Sequence, residues 1–180
     1  STRDRRGVRG AGTTFQQQSE MTMKWLIAIA CLTVLSTPAA AQSAPPIPSV
    51  YGEPVGIEQA QAIVQRGLEE GARRGLPLAI AVVEPSGELV AFARMDGVPY
   101  GSIPLAQDKA RTSARFRTTT VSREEQVNNG RYALLTADDF VAIGGGVPIV
   151  VDGRVVGAVG ISGGTSAEDA VVAAAIAGPQ

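Results

Sequence analysis

The chain has 180 residues, of which 44% are apolar and 18% charged, with a formal net charge of −1. That balance supplies a buried core and lacks the basic excess of a polyanion-binding protein. With no histidine and a single cysteine, Cys31, the chain has no residues for imidazole acid–base catalysis and too few for a thiolate metal centre or an internal disulfide.

Ser1 to Glu20 is polar and dotted with arginine (RDRRGVRG, then QQQSE), without apolar periodicity, and reads as a disordered or upstream extension. Residues 21–41 then have the three parts of a signal peptide: Lys24, an apolar run from Trp25 to Leu35, and the small residues Ala39, Ala40 and Ala41. The run is well short of the roughly 20 residues a membrane span needs. The expectation is cleavage after Ala41 and a periplasmic or secreted product with no stable membrane anchor. Cleavage there removes five basic and two acidic residues, leaving eleven and fifteen and a net charge of −4. Nucleic acid is not an expected partner.

Residues 42–54 (QSAPPIPSVYGEP) form an extended leader. Ile57, Ala60, Ile63, Val64, Leu68 and Ala72 fall at helical spacing, and Gly75 with Pro77 ends that helix near Arg74. LAIAVVE (78–84), the turn Pro85-Ser86-Gly87 and ELVAFAR (88–94) form a β-hairpin. A loop, MDGVPYG, leads to a second helix from Ser102 to Arg117, with Ala106, Ala110 and Ser113 along one side. A variable-looking connection runs on to Asp139. Next come a short strand in FVAI (140–143), GGG, and a second hairpin turning at Asp152-Gly153, a pair suited to the I′ turn. Thr165 and Glu168 make a capping box ahead of a last helix reaching Ala177. Tight hairpins demand antiparallel pairing, so residues 55–180 read as a single α+β domain. Its sheet has about five antiparallel strands packed with helices, in a profilin-like layer arrangement.

GISGG (160–164) matches the G-x-S-x-G nucleophile elbow. A serine needs a base to become a nucleophile, and with histidine absent the base would have to be a carboxylate or Lys109, the only lysine after the signal peptide. The elbow also belongs to parallel sheets. GISGG therefore reads as a strand-to-helix turn, with Ser162 placed to donate a hydrogen bond into a pocket. The glycine-rich runs lack both the Walker A lysine and the G-x-G-x-x-G fingerprint. Their N–H groups at a helix N-terminus remain open either to capture an anion or only to turn the chain. In the second helix, Asp108, Lys109, Arg111, Thr112 and Arg115 form its most polar part. Either they are a solvated face with Asp108–Arg111 or Asp108–Arg115 pairs, or they wall a pocket in which Lys109 and arginines hold carboxylates.

LAIAVVEPSGELVAFARMDG, SIPLAQDKARTSARF and GGGVPIVVDGRVVGAVGISGGTSAEDAVVAAA together resemble the HbpS-like (GlcG) haem-binding and haem-degrading family. Five ordered motifs carry the likeness across nearly the whole mature part. The K-A-x-T-A motif departs slightly, with Ser113 displacing its alanine to Ala114. The resemblance implies a compact α+β domain that self-associates and binds haem or a related tetrapyrrole. It carries Lys109 and Thr112, Met95 and Asp96, and Gly145, Gly146 and Pro148 over as motif residues. A haem here would be weakly ligated, because iron is usually held by His, Cys, Met or Tyr. After residue 41 the chain offers only Met95 and three tyrosines, Tyr51, Tyr100 and Tyr132. Lys109 or an arginine would hold the propionates. The alternative is an enzyme or sensor module for a small carboxylated or hydroxylated metabolite, acting through Lys109 and hydroxyls near the glycine turns.

Overall fold

The computed structural model describes residue 47 and residues 50–178. The expected extension and signal peptide lie outside the described residues.

The elements follow in the order α1 (Ile57–Arg74), β1 (Ala79–Val83), β2 (Leu89–Arg94), α2 (Ser102–Phe116), α3 (Thr120–Asn128), a 3-10 turn (Tyr132–Thr136), β3 (Gly146–Val151), β4 (Arg154–Ser162) and α4 (Ser166–Ala177). The strands form one antiparallel sheet in the order β2-β1-β4-β3. Its edges are therefore β2 and β3. The α+β class and single domain stand. The sheet has four strands where the sequence suggests about five, because Phe140–Ile143 is irregular backbone.

Alternation along the strands explains the layers. Ile80, Val82, Val147, Ile149, Val159 and Ile161 point to one face and pack against α1 and α4 through Ile63, Val64, Val172 and Ile176. The other face carries small residues, Ala79, Ala81 and Ala158, with Gly160 and Gly146 opposite each other in register. Against it lies α2, whose Ala106, Ala110 and Ala114 form a seam of equally small residues. Helix and sheet backbones consequently come very close. A Cβ added at Gly160 would sit 1.9 Å from the Ala106 carbonyl oxygen, and one at Gly146 would sit 2.4 Å from that of Lys109. The core is thus built from bulky β-branched residues on one side and backbone contact on the other.

Local signals agree with these elements. Gly75 closes α1 in the left-handed conformation at φ 67°, where glycine carries no Cβ penalty. Asp152 and Gly153 both take positive φ in the turn between β3 and β4. Thr165 and Glu168 form the full reciprocal capping box on α4.

Candidate functional site

Helix α2 runs along the small-residue face of the sheet and carries distinct chemistry along its length. Beside the glycine-rich end of β3, Lys109 is 1% exposed and reaches past Gly145 to α4 in the opposite layer. Its Nζ donates to the Asp169 carboxylate at 2.7 Å and to the Ile161 carbonyl at 2.9 Å. The second Asp169 oxygen accepts the Gly164 N–H at 2.9 Å. Asp169 stands in the first turn of α4, where the helix dipole favours a carboxylate. Two buried charges are thereby paired and further hydrogen-bonded, which is what makes burying them tolerable.

The glycine run beside this pair is equally committed. The Gly144 N–H donates to Glu124 Oε2 at 2.9 Å and to Ser166 Oγ at 2.8 Å. The Gly146 N–H donates to Thr120 Oγ1 at 2.8 Å, and the Gly145 carbonyl accepts the Ile161 N–H at 2.8 Å. Ser162 is buried at the end of β4, opposite Ala79. Lys109, Gly145, Gly146 and the GISGG turn therefore do converge, on a close-packed knot tying α2, α3, the sheet and α4 together.

Thr112 lies one turn further along α2 and is fully buried. Its hydroxyl accepts the Val141 N–H at 2.9 Å and points to the Asp139 carbonyl at 3.4 Å, pinning the 139–141 segment onto the helix. From here the surface opens. The Arg115 guanidinium bonds the Asp139 carboxylate at 2.7 Å and the Ser86 carbonyl at 2.6 Å. Arg111 pairs with Asp108 at 2.8 Å, one of the two pairs weighed from the sequence, and its stem lies with Arg115 beside Gly87. Phe116 and Phe140 meet edge to face at 5.4 Å. Arg117 stacks over the Tyr51 ring at 4.9 Å, while the Tyr51 hydroxyl caps the helix end through the Ala114 and Arg115 carbonyls. A shallow groove of about 430 Å³ opens between Tyr51, Pro54, Pro85, Ser86 and Arg115.

Met95 and Asp96 sit elsewhere. The Met95 sulfur packs near Gly71 and receives the Leu78 N–H at 3.4 Å, while Asp96 is exposed. Neither joins the Lys109 cluster in the bonds and contacts that define it.

Among the described residues, no group of three or more His, Cys, Asp or Glu is placed to hold a metal ion, and no helix is long and apolar enough to cross a membrane. One carboxyl at the rim is perturbed. The backbone N–H and then the hydroxyl of Thr165 hold Glu168 below the usual carboxylate range. The partners missed from the sequence are Asp169, Glu124, Thr120 and Ser166. Glu168 as a capping residue was readable; Asp169, one position on, had no local sign that it answers Lys109, 60 residues before it.

The geometry defines a three-layer α+β domain with a packed ion pair along one helix and a shallow open groove at that helix's end, lined by one cation, Arg115, and one carboxylate, Glu84. Comparison with known proteins supplies the family. The model described as "Haem degrading protein HbpS-like" matches residues 55–177, and the chain belongs to this HbpS-like family. Protein GlcG of Escherichia coli strain K12 is 46% identical over 105 residues, covering 58% of this chain and 78% of GlcG. The crystal structure of Klebsiella pneumoniae protein ORFY superposes with a TM-score of 0.66 at 24% identity, covering 72% of this chain and 92% of that one. The structure of a PduOC:heme complex gives 0.62 at 24% identity, covering 69% and 93%. At these identities the solved structures speak to the fold. Haem is tied to the family by its description.

Proposed function

We propose that this protein is exported, self-associates, and binds haem or a related tetrapyrrole as a ligand held at the open end of α2. The observation that carries the reading is the groove at Arg115, in a chain whose family is described by haem. A haem is an apolar plate with two carboxylates, and the groove joins Tyr51, Pro54 and Pro85 to the Arg115 guanidinium, with Glu84 also in its lining. Arg111, one helical turn back, is paired with Asp108 and would have to exchange that partner to meet a propionate.

The donor set fits a ligand held by its plate and propionates more than by a strong axial bond. Lys109 is spent on Asp169, the Thr112 hydroxyl is buried under residues 139–141, and the Met95 sulfur is packed at Leu78. Thr112 shapes the site by holding Asp139 and Phe140 in place, and Lys109, Gly145, Gly146 and Ser162 support it from behind. Tyr100 and Tyr132 are exposed and lie outside the groove's lining. The signal-peptide pattern of residues 21–41 supports export.

Titrating haemin into the mature protein tests the reading. The expected result is a displaced Soret band with saturable binding. Arg115→Ala should weaken that binding about tenfold, as expected when a charge-assisted hydrogen bond worth about 1.5 kcal/mol or more is lost. An unmoved Soret band, or binding indifferent to Arg115, overturns it.

A further inference from the structure

Helix α3 buries only Thr120, and its surface brings two arginines together. Arg123 stands near the start of the helix and Arg131 just past its end. Gly130, at φ 92°, turns the chain back after Asn129. The Gly130 N–H bonds the Val127 carbonyl and the Arg131 N–H bonds the Gln126 carbonyl, both at 2.9 Å, the Schellman closure of a helix. That closure returns Arg131 onto α3. Its Nη1 donates to Gln126 Oε1 at 2.9 Å, and the Nη1 of Arg123 donates to the same oxygen at 3.2 Å. The Gln126 Nε2 donates to Ser122 Oγ at 3.3 Å, which holds the amide oxygen toward the arginines.

Two cations thus share one neutral acceptor. Neither arginine pairs with a carboxylate among the described residues. Glu124, next to Arg123 in the chain, is taken by the Gly144 N–H and by Ser166. The Nε of Arg123 is buried and has no hydrogen-bond partner. Burial first, and then the charge of Arg131, hold the Arg123 guanidinium below the usual arginine range. A cation past a helix C-terminus is favoured by the dipole, which accounts for Arg131 but works against Arg123 near the positive end. Arg123 therefore carries an unanswered donor, a like charge beside it and an adverse dipole, and a bound anion offsets all three. We infer that Arg123 and Arg131, spaced by Gln126, form a binding site for phosphate, either the free ion or the phosphate group of a small molecule. Guanidinium forks match the oxygens of an oxyanion, and two cations match a dianion better than a single carboxylate. The site shares no residue with the lining of the Arg115 groove and does not depend on haem.

Calorimetric titration of the full chain tests this, with inorganic phosphate, glycerol phosphate and acetate as probes at matched ionic strength. Inorganic phosphate should bind saturably, and acetate much more weakly. Glycerol phosphate binding alongside it identifies an ester as the ligand; inorganic phosphate binding alone identifies the free ion. Arg131→Gln, at an exposed position, should weaken phosphate binding about tenfold or more, as when a charge-assisted hydrogen bond is lost. Arg123→Met keeps the apolar stem and removes the charge. It should abolish binding and, in phosphate-free buffer, raise the denaturation midpoint, because a buried donor without an acceptor and a repulsion both disappear. Circular dichroism establishes that each variant is folded. A lowered midpoint in Arg123→Met with phosphate binding intact marks a structural arginine and overturns the site. Acetate binding as tightly as phosphate overturns the dianion. Phosphate salts also stabilise proteins by exclusion from their surface. A midpoint that phosphate raises equally in the parent and both variants, without calorimetric binding, is that general effect and overturns the site as well.

Discussion

Two stretches of one helix, α2, show opposite uses of charge. At Lys109 the helix lies against glycine backbone, and the one lysine after the leader is paired with Asp169 where both side chains are almost fully buried. At Arg115 the same helix meets Asp139 with the partners 34% and 62% exposed. The motif residues that suggest chemistry, K-A-x-T and the glycine runs, belong mostly to the first stretch, where Lys109, Thr112, Gly144 and Gly146 bond to neighbouring elements in the buried interior. The groove belongs to the second, lined by residues with little motif character. A dense motif can record close packing as readily as a site.

Breaking the ion pair should have the largest effect. Lys109→Ala leaves Asp169 charged and unpaired in the interior, a loss that typically costs about 3–5 kcal/mol. Chemical denaturation should show it, and Lys109→Met combined with Asp169→Leu should recover much of the loss. If Lys109→Ala were as stable as the parent, Lys109 would be free to serve a ligand and the contrast between the two stretches would fall. Arg115→Ala is the control at the open end. An exposed pair contributes up to about 1 kcal/mol, so this variant should weaken haemin binding and leave the denaturation midpoint close to the parent.

The backbone contact is the next lever. Gly160→Ala puts a methyl group 1.9 Å from the Ala106 carbonyl oxygen, which neither backbone can accommodate without moving. Overpacking of this kind costs about 1–3 kcal/mol, occasionally more. A midpoint unchanged by Gly160→Ala would mean that α2 can slide, and that the groove is not held by the packed stretch.

Much of the fold was legible because its signals are local. The 3.6-residue spacing of α1, the Asp152-Gly153 turn and the Thr165–Glu168 capping box each declare themselves within a few residues. Helix α3 was not legible: only Thr120 is buried, and a mostly polar run has no apolar stripe to betray its period. Phe140–Ile143 misled in the other direction. Its apolar run resembles a strand, yet Asp139 takes a positive φ and Thr112 pins Val141 outside any ladder. Lys109 was readable as part of a solvated face or as a pocket wall, and not as half of a buried pair, because Asp169 lies on another layer. Its singularity as the last lysine was the only hint.

The smallest effect lies at the rim of the packed stretch. The lowered pKa of Glu168 comes first from the Thr165 N–H and then from its hydroxyl, both donating to the ionised carboxylate. A group whose folded pKa is depressed adds stability above its unfolded pKa and loses it as pH falls through the folded value. The capping box should therefore weaken on acidification below the usual carboxylate range, and Glu168→Gln should remove that part of the pH dependence. Denaturation midpoints measured at neutral pH and at several acid values would show the parent and Glu168→Gln curves converging as pH falls. Parallel curves would mean that the carboxylate charge contributes nothing to the start of α4. Asp169 would then depend on Lys109 and the Gly164 N–H, without help from the cap one residue earlier.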